Sequence, residues 1–252
     1  GYDTAPIDGQ VFTADIEGVT ILDVNNKDIA DLTGIEDFTA LTNLSCYSNQ
    51  LTSIDVSNNT ALTVLNCDNN QLSSLNVSNN SALEYLNCGR NQLTNLDLSQ
   101  NPALKRFFCN NNQLTSLDVR NGNNTNITTF NATTNPDLTC IFVDDISYST
   151  TNWTDIDPAS NFVEDETECN TLYTEIPDEN FEQALIDYGY DTAPIDGLVP
   201  TANIDYVTNL EIQGRNIADL TGIEDFIALS TLTCGANLLT SLDVSNSTAL
   251  TK

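Results

Sequence analysis

The chain has 252 residues, with 36 acidic against 7 basic side chains, no histidine and a formal net charge of −29. That balance leaves little clustered Lys and Arg for binding phosphates, so nucleic acid is not expected as a partner. The missing imidazole excludes Ser–His and Cys–His nucleophiles and any His-containing zinc site, and no apolar run is long enough to span a membrane.

In chain order, the first segment is GYDTAPIDG, whose Asp3 and Asp8 are oxygen donors of the kind calcium takes. They lack the spacing of an EF-hand loop, and solvated carboxylates are the plainer reading. An irregular coil follows, with Val19, Leu22, Val24, Ile29 and Leu32, and Lys27 where later coils carry Asn. Then four segments repeat at 21 residues, starting at Leu41, Leu62, Leu83 and Leu104, on the pattern LxxLxCxxNxLxxLDVxxNxx. A fixed period of this length predicts a solenoid, in which each coil buries its apolar face only against its neighbours. In LxxLxC the second Leu and the Cys are two apart and face one way, as in a short strand. Leu44/Cys46, Leu65/Cys67, Leu86/Cys88 and Phe107/Cys109 are therefore predicted to point inward from a parallel sheet. Asn49, Asn70, Asn91 and Asn112 end the strands; their amides can bond turning backbone and each other. A second alternation, such as Leu93, Leu96 and Leu98, predicts a shorter strand on the opposite wall. Asp55, Asp97 and Asp118, with Asn76 between, form a ladder there, read as a hydrogen-bonded row rather than a metal site.

After a further irregular coil at Ile127, Phe130, Ala132 and Asn135, the closing segment 136–169 reads as a C-terminal cap. Cys140 and Cys169 stand outside the cysteine row and are predicted to form a disulfide pinning it, which suits an oxidising compartment. Asp155 and Asp157 in this cap are further calcium candidates. Next comes IPDENFEQALIDY, in which Phe181, Ala184, Leu185 and Tyr188 share one face at helical spacing, with acids at the N-terminal end. It predicts an amphipathic cap over the coil that follows, because an end coil otherwise exposes an apolar face. Finally, residues 189–252 repeat residues 1–64 at a shift of 188, with roughly two-thirds identity. The expected organisation is one domain over 1–172 without its N-terminal cap helix, and the cap and first coils of a homologous domain over 173–252. The chain then reads as an excerpt from at least two tandem domains.

The repeat resembles leucine-rich repeats, in particular the short bacterial class called IRREKO, with Cys in place of the third Leu. The likeness covers most of residues 19 to 143 and restarts near 207. The caps IPDENFEQALIDYGYD and NPDLTCIFVDD…NWTDID…EC are similar to those of leucine-rich surface proteins of Bacteroidetes. The resemblance implies an all-β-leaning solenoid with a capping helix, displayed outside the cell or on a bacterial surface, binding through the outward positions of its main sheet. Among those positions Tyr47, Tyr85, Arg106 and Phe108 stand out from an Asn/Ser/Thr background that includes Asn87. Arg90 belongs to the same basic stretch as Lys105, Arg106 and Arg120. Thr4 and Thr192, in Asp-Thr-Ala triplets, resemble the acceptor used for O-glycosylation in Bacteroidetes. No catalytic constellation and no cofactor is expected. The leading expectation is a non-catalytic scaffold for adhesion or for self-assembly into a fibre, with sister domains or copies of itself as partners. The alternative is a recognition module that binds a glycan or protein ligand through the sheet.

Overall fold

A computed structural model describes residues 11–245 and 247–251; Asp3, Thr4 and Asp8 lie outside the described residues. The chain divides into two compact units, Gly1–Asp165 and Glu166–Lys252.

Unit 1 is a solenoid, and the period explains it. Six three-residue strands, Ile21–Asp23, Asn43–Ser45, Val64–Asn66, Tyr85–Asn87, Arg106–Phe108 and Thr129–Asn131, pair in parallel to form the main wall. Their register stacks Leu22, Leu44, Leu65, Leu86, Phe107 and Phe130 in one inward row. Cys46, Cys67, Cys88 and Cys109 lie fully buried behind it as free thiols. Burial pushes the Cys46 thiol up to about 12 and holds Cys67 and Cys88 well above their usual range. They are small apolar fillers, because metal binding and redox exchange need the thiolate.

Each coil leaves the main wall through a residue with left-handed backbone: Ser48, Asn69, Arg90, Asn111 and Thr134. The Asn that follows holds this turn. The amide of Asn91 donates to the carbonyls of Cys88 and Gly89 in its own coil and of Cys67 in the coil before, while its oxygen accepts from Leu72 N. Asn70 and Asn112 repeat the device. The row thus ties backbone to backbone across coils rather than amide to amide.

The second wall is a four-stranded parallel sheet in the order Asn161–Val163, Cys140–Phe142, Ser116–Asp118, Asn95–Asp97. The closing segment therefore adds two strands to this wall before it caps. In the earlier coils the same apolar residues, Leu51, Val56, Leu72, Leu75 and Val77, are buried without strand pairing. Helix Ile146–Asn152 then delivers Trp153, whose ring stacks 4.4 Å from that of Phe130 and whose Nε1 donates to Ile127 O at 3.0 Å. The last coil lacks a following coil to accept its amides, and Asp157 supplies a carboxylate instead, accepting from Thr134 N and Asn135 N.

Unit 2 begins with helix Glu166–Leu172 and a strand, Tyr173–Glu175, antiparallel to Leu198–Pro200. The predicted cap helix spans Glu179–Asp187. Asp178 caps it, accepting from Asn180 N and Phe181 N with one oxygen and from Ala218 N and Asp219 N with the other. Phe181, Ala184 and Leu185 are buried against Ile212, Ile217 and Phe226. Tyr188, predicted on that face, is instead 44% exposed. It sits at the helix C-cap, where its hydroxyl donates to Glu211 O and its ring meets the Arg215 guanidinium. Glu182 turns inward and pins the loop before Leu198 by accepting from Asp196 N and Gly197 N.

Candidate functional site

The main wall of unit 1 presents two outward columns. One runs Ile21, Asn43, Val64, Tyr85, Arg106, Thr129 and the other Asp23, Ser45, Asn66, Asn87, Phe108, Asn131. Adjacent coils are about 4.8 Å apart, so Arg106 lies beside Tyr85 in its column and beside Phe108 on its own strand. The Arg106 Cζ is 5.1 Å from the centroid of Tyr85 and 5.8 Å from that of Phe108, and the two rings are 5.9 Å apart. Three of the predicted binding residues are thus one cluster, with the cation against two ring faces. It borders an open depression of about 460 Å³ lined by Val64, Asn43, Asn66 and Tyr85, with the Glu84–Lys105 ion pair on its rim.

The other predicted residues play different parts. Arg90 is bonded to Asp68 one coil earlier, with Nε to Oδ1 at 3.0 Å. It is committed to the turn, and Gly89 beside it leaves the room this takes: a Cβ there would lie 3.1 Å from the Asp68 carboxylate and 3.0 Å from Asn110, so those side chains would have to give. Asn87 accepts from Gly89 N, closing the same turn. Tyr47 is half-buried and makes no ring contact with the cluster among the described residues. Lys105 pairs with Glu84 at 2.8 Å and Arg120 with Asp118 at 2.6 Å. The basic stretch of the sequence is therefore mostly neutralised in place. For Glu84 and Lys105 the signal was legible, because they are one 21-residue period apart and meet on adjacent coils; Asp68 and Arg90 stand one residue off that period.

The ladder on the second wall is a row of turns. Asp55, Asn76, Asp97 and Asp118 each accept from the backbone N–H two residues on. Asp157 is committed to backbone too, but across coils, to Thr134 N and Asn135 N, and Asp155 is exposed. No group of three or more Asp, Glu, His or Cys side chains suited to a metal occurs among the described residues. Cys140 and Cys169 are disulfide-bonded. Thr192 is exposed, in the loop that Glu182 pins. Neighbouring Asp191 is pushed up to about 6 by burial and by the nearby Asp196 and Glu182 charges.

No family model matches the chain. A 41-residue stretch is 51% identical to Internalin J of Listeria monocytogenes, covering 16% of this chain and 4% of that protein. Among solved structures, the functional domain of InlJ from Listeria monocytogenes, described as including a cysteine ladder, is 30% identical, covering 96% of this chain and 49% of that one at a TM-score of 0.47. An internalin (inlF) of Listeria monocytogenes is 21% identical over 95% of this chain and 68% of its own, at a TM-score of 0.47. A leucine-rich repeat protein of Leptospira interrogans is 17% identical, covering 94% and 55%, at a TM-score of 0.45. The strand register, the inward Leu and Cys rows and the Asn turns make this chain a leucine-rich repeat solenoid.

Proposed function

We propose that this chain is a non-catalytic, extracellular binding scaffold, a tandem leucine-rich repeat protein that adheres to a partner protein through the main wall of its coils. The observation that carries this reading is the Tyr85–Arg106–Phe108 cluster, set among small polar residues on a surface the fold does not use. Aromatic and Arg side chains are the usual energetic anchors of protein interfaces. The disulfide state of Cys140 and Cys169 supports an oxidising, extracellular setting, as does the likeness to a protein named as an internalin. The duplication at 188 residues supports an array that displays several walls at once, where linked weak sites gain avidity.

A panel of purified extracellular proteins, screened by biolayer interferometry against immobilised chain, tests this. The expected result is at least one binder that is lost in the Tyr85→Ala/Phe108→Ala pair and kept in the second-wall pair Asn95→Ala/Ser116→Ala. Binders that depend only on the second-wall pair would overturn the reading. Electron microscopy of the chain alone addresses the other mode. Filaments that form without ligand and persist in the Tyr85→Ala/Phe108→Ala pair would make it a self-assembling fibre instead.

A further inference from the structure

We infer that the main wall of unit 1 selects an acidic segment of a partner protein, with Arg106 as the receptor for a side-chain carboxylate. This rests on the proposed recognition through that wall and names its chemistry. Arg106 has no carboxylate partner among the described residues, whereas Arg90, Arg120 and Arg215 are paired with Asp68, Asp118 and Asp187. In a chain with 36 acids and 7 bases, an arginine left unneutralised is against the odds of its surroundings. The sheet around it explains how. Of the twelve outward strand positions of this sheet, the charged ones are Arg106 and, on the edge strand four strands away, Asp23, about 19 Å off. Lys105 and Glu84, just outside the strands, neutralise each other. A chain of strong negative charge therefore carries a local face of positive sign, and at about 0.15 M salt the remaining acids beyond roughly 8 Å are screened.

The geometry suits a carboxylate. A planar guanidinium lying against ring faces keeps its N–H edges for a planar acceptor, and the two rings narrow its range of positions before the ligand arrives, which lowers the ordering cost. Val64 gives an apolar floor beside it, and Asn43 and Asn66 edge the depression with amides that can bond an extended backbone.

The test uses fluorescein-labelled dodecapeptides of matched sequence, one rich in Asp and Glu and one with each acid replaced by its amide. They are titrated by fluorescence anisotropy against the whole chain at about 0.15 M salt. The acidic peptide is expected to bind roughly tenfold or more tightly than its amide twin. Arg106→Gln is expected to erase that preference, and Arg106→Lys to keep part of it, with circular dichroism melts unchanged for both. Arg90→Gln, which removes a charge already paired, is expected to leave the preference in place. If both peptides bind alike and Tyr85→Ala weakens both, the wall recognises protein but the carboxylate assignment is overturned. Equal preference in Arg106→Gln, no binding of the acidic peptide at millimolar concentration, or capture of a uronic-acid oligosaccharide in place of the peptides would each overturn it as well.

Discussion

The two walls of unit 1 are built from the same repeat, and they spend their outward residues differently. On the second wall the outward Asp or Asn of each coil is committed to its own turn: Asp55 to Ser57 N, Asn76 to Ser78 N, Asp97 to Ser99 N, Asp118 to Arg120 N. Its sequence is monotonous because every coil needs the same bond. On the main wall the first outward column reads Ile21, Asn43, Val64, Tyr85, Arg106, Thr129, and the structure asks nothing common of these six. The fold is held by what faces inward and by the turns, so variation is tolerated only where the fold makes no demand, and a ligand can be read only there.

Four substitutions in unit 1, and one in unit 2, can break or sharpen that contrast. The largest effect is expected from Asn91→Ala in the turn row. It strips the partners of Leu72 N and of the Cys67, Cys88 and Gly89 carbonyls and should cost about 3 kcal/mol in urea unfolding, since buried polar groups are left unpaired. Next is Tyr85→Ala, which should weaken binding of a main-wall ligand about tenfold to thirtyfold by biolayer interferometry. Its unfolding free energy should move by less than about 1 kcal/mol, because the ring is half outside the core. Asp97→Ala should show the reverse pattern. It loses one turn bond, for about 0.5–1.5 kcal/mol of stability, with ligand binding unchanged.

The smallest effect is in acid. Burial raises the Asp118 carboxyl, but the hydrogen bonds and charge of Arg120 outweigh it and hold the group below its usual value of 3.8. A folded-state value that is lowered gives stability that is present above 3.8 and is lost as pH falls through the lower folded value. Asp118→Asn should therefore flatten the acid limb of a urea-midpoint profile below about pH 4. The opposite sign holds in unit 2. Asp191, raised to about 6, adds stability that is full below 3.8 and is lost as pH rises through about 6. Asp191→Asn should remove that loss, as followed by thermal melts between these values.

Much of this was legible in the sequence because a period converts spacing into contact. Leu44, Leu65, Leu86 and Phe107 could be stacked on paper, and so could the Asn row, although its bonds run to backbone rather than from amide to amide. Tyr85 and Arg106 are likewise 21 residues apart and paired in register on adjacent strands. What it obscured were interactions one residue off the period, as with Arg90 on Asp68 at a separation of 22. That single step carried Arg90 out of the candidate interface. The aperiodic ends were harder. Helical spacing grouped Tyr188 with Phe181 and Leu185, but Tyr188 follows the last helical residue, Asp187, and is aimed at Glu211 and Arg215 instead. Nothing in the spacing told that residues 140–142 and 161–163 would extend the second wall before Trp153 and Phe162 closed the core.

The most direct test of recognition through the main wall is photo-cross-linking from benzophenone placed at Thr129, beside Arg106 on the main wall, or at Ser116 on the second wall, with a protein found to bind the chain. Cross-links from position 129 that vanish in Arg106→Gln, and none from position 116, are the predicted result. Cross-links from 116 alone would contradict the account.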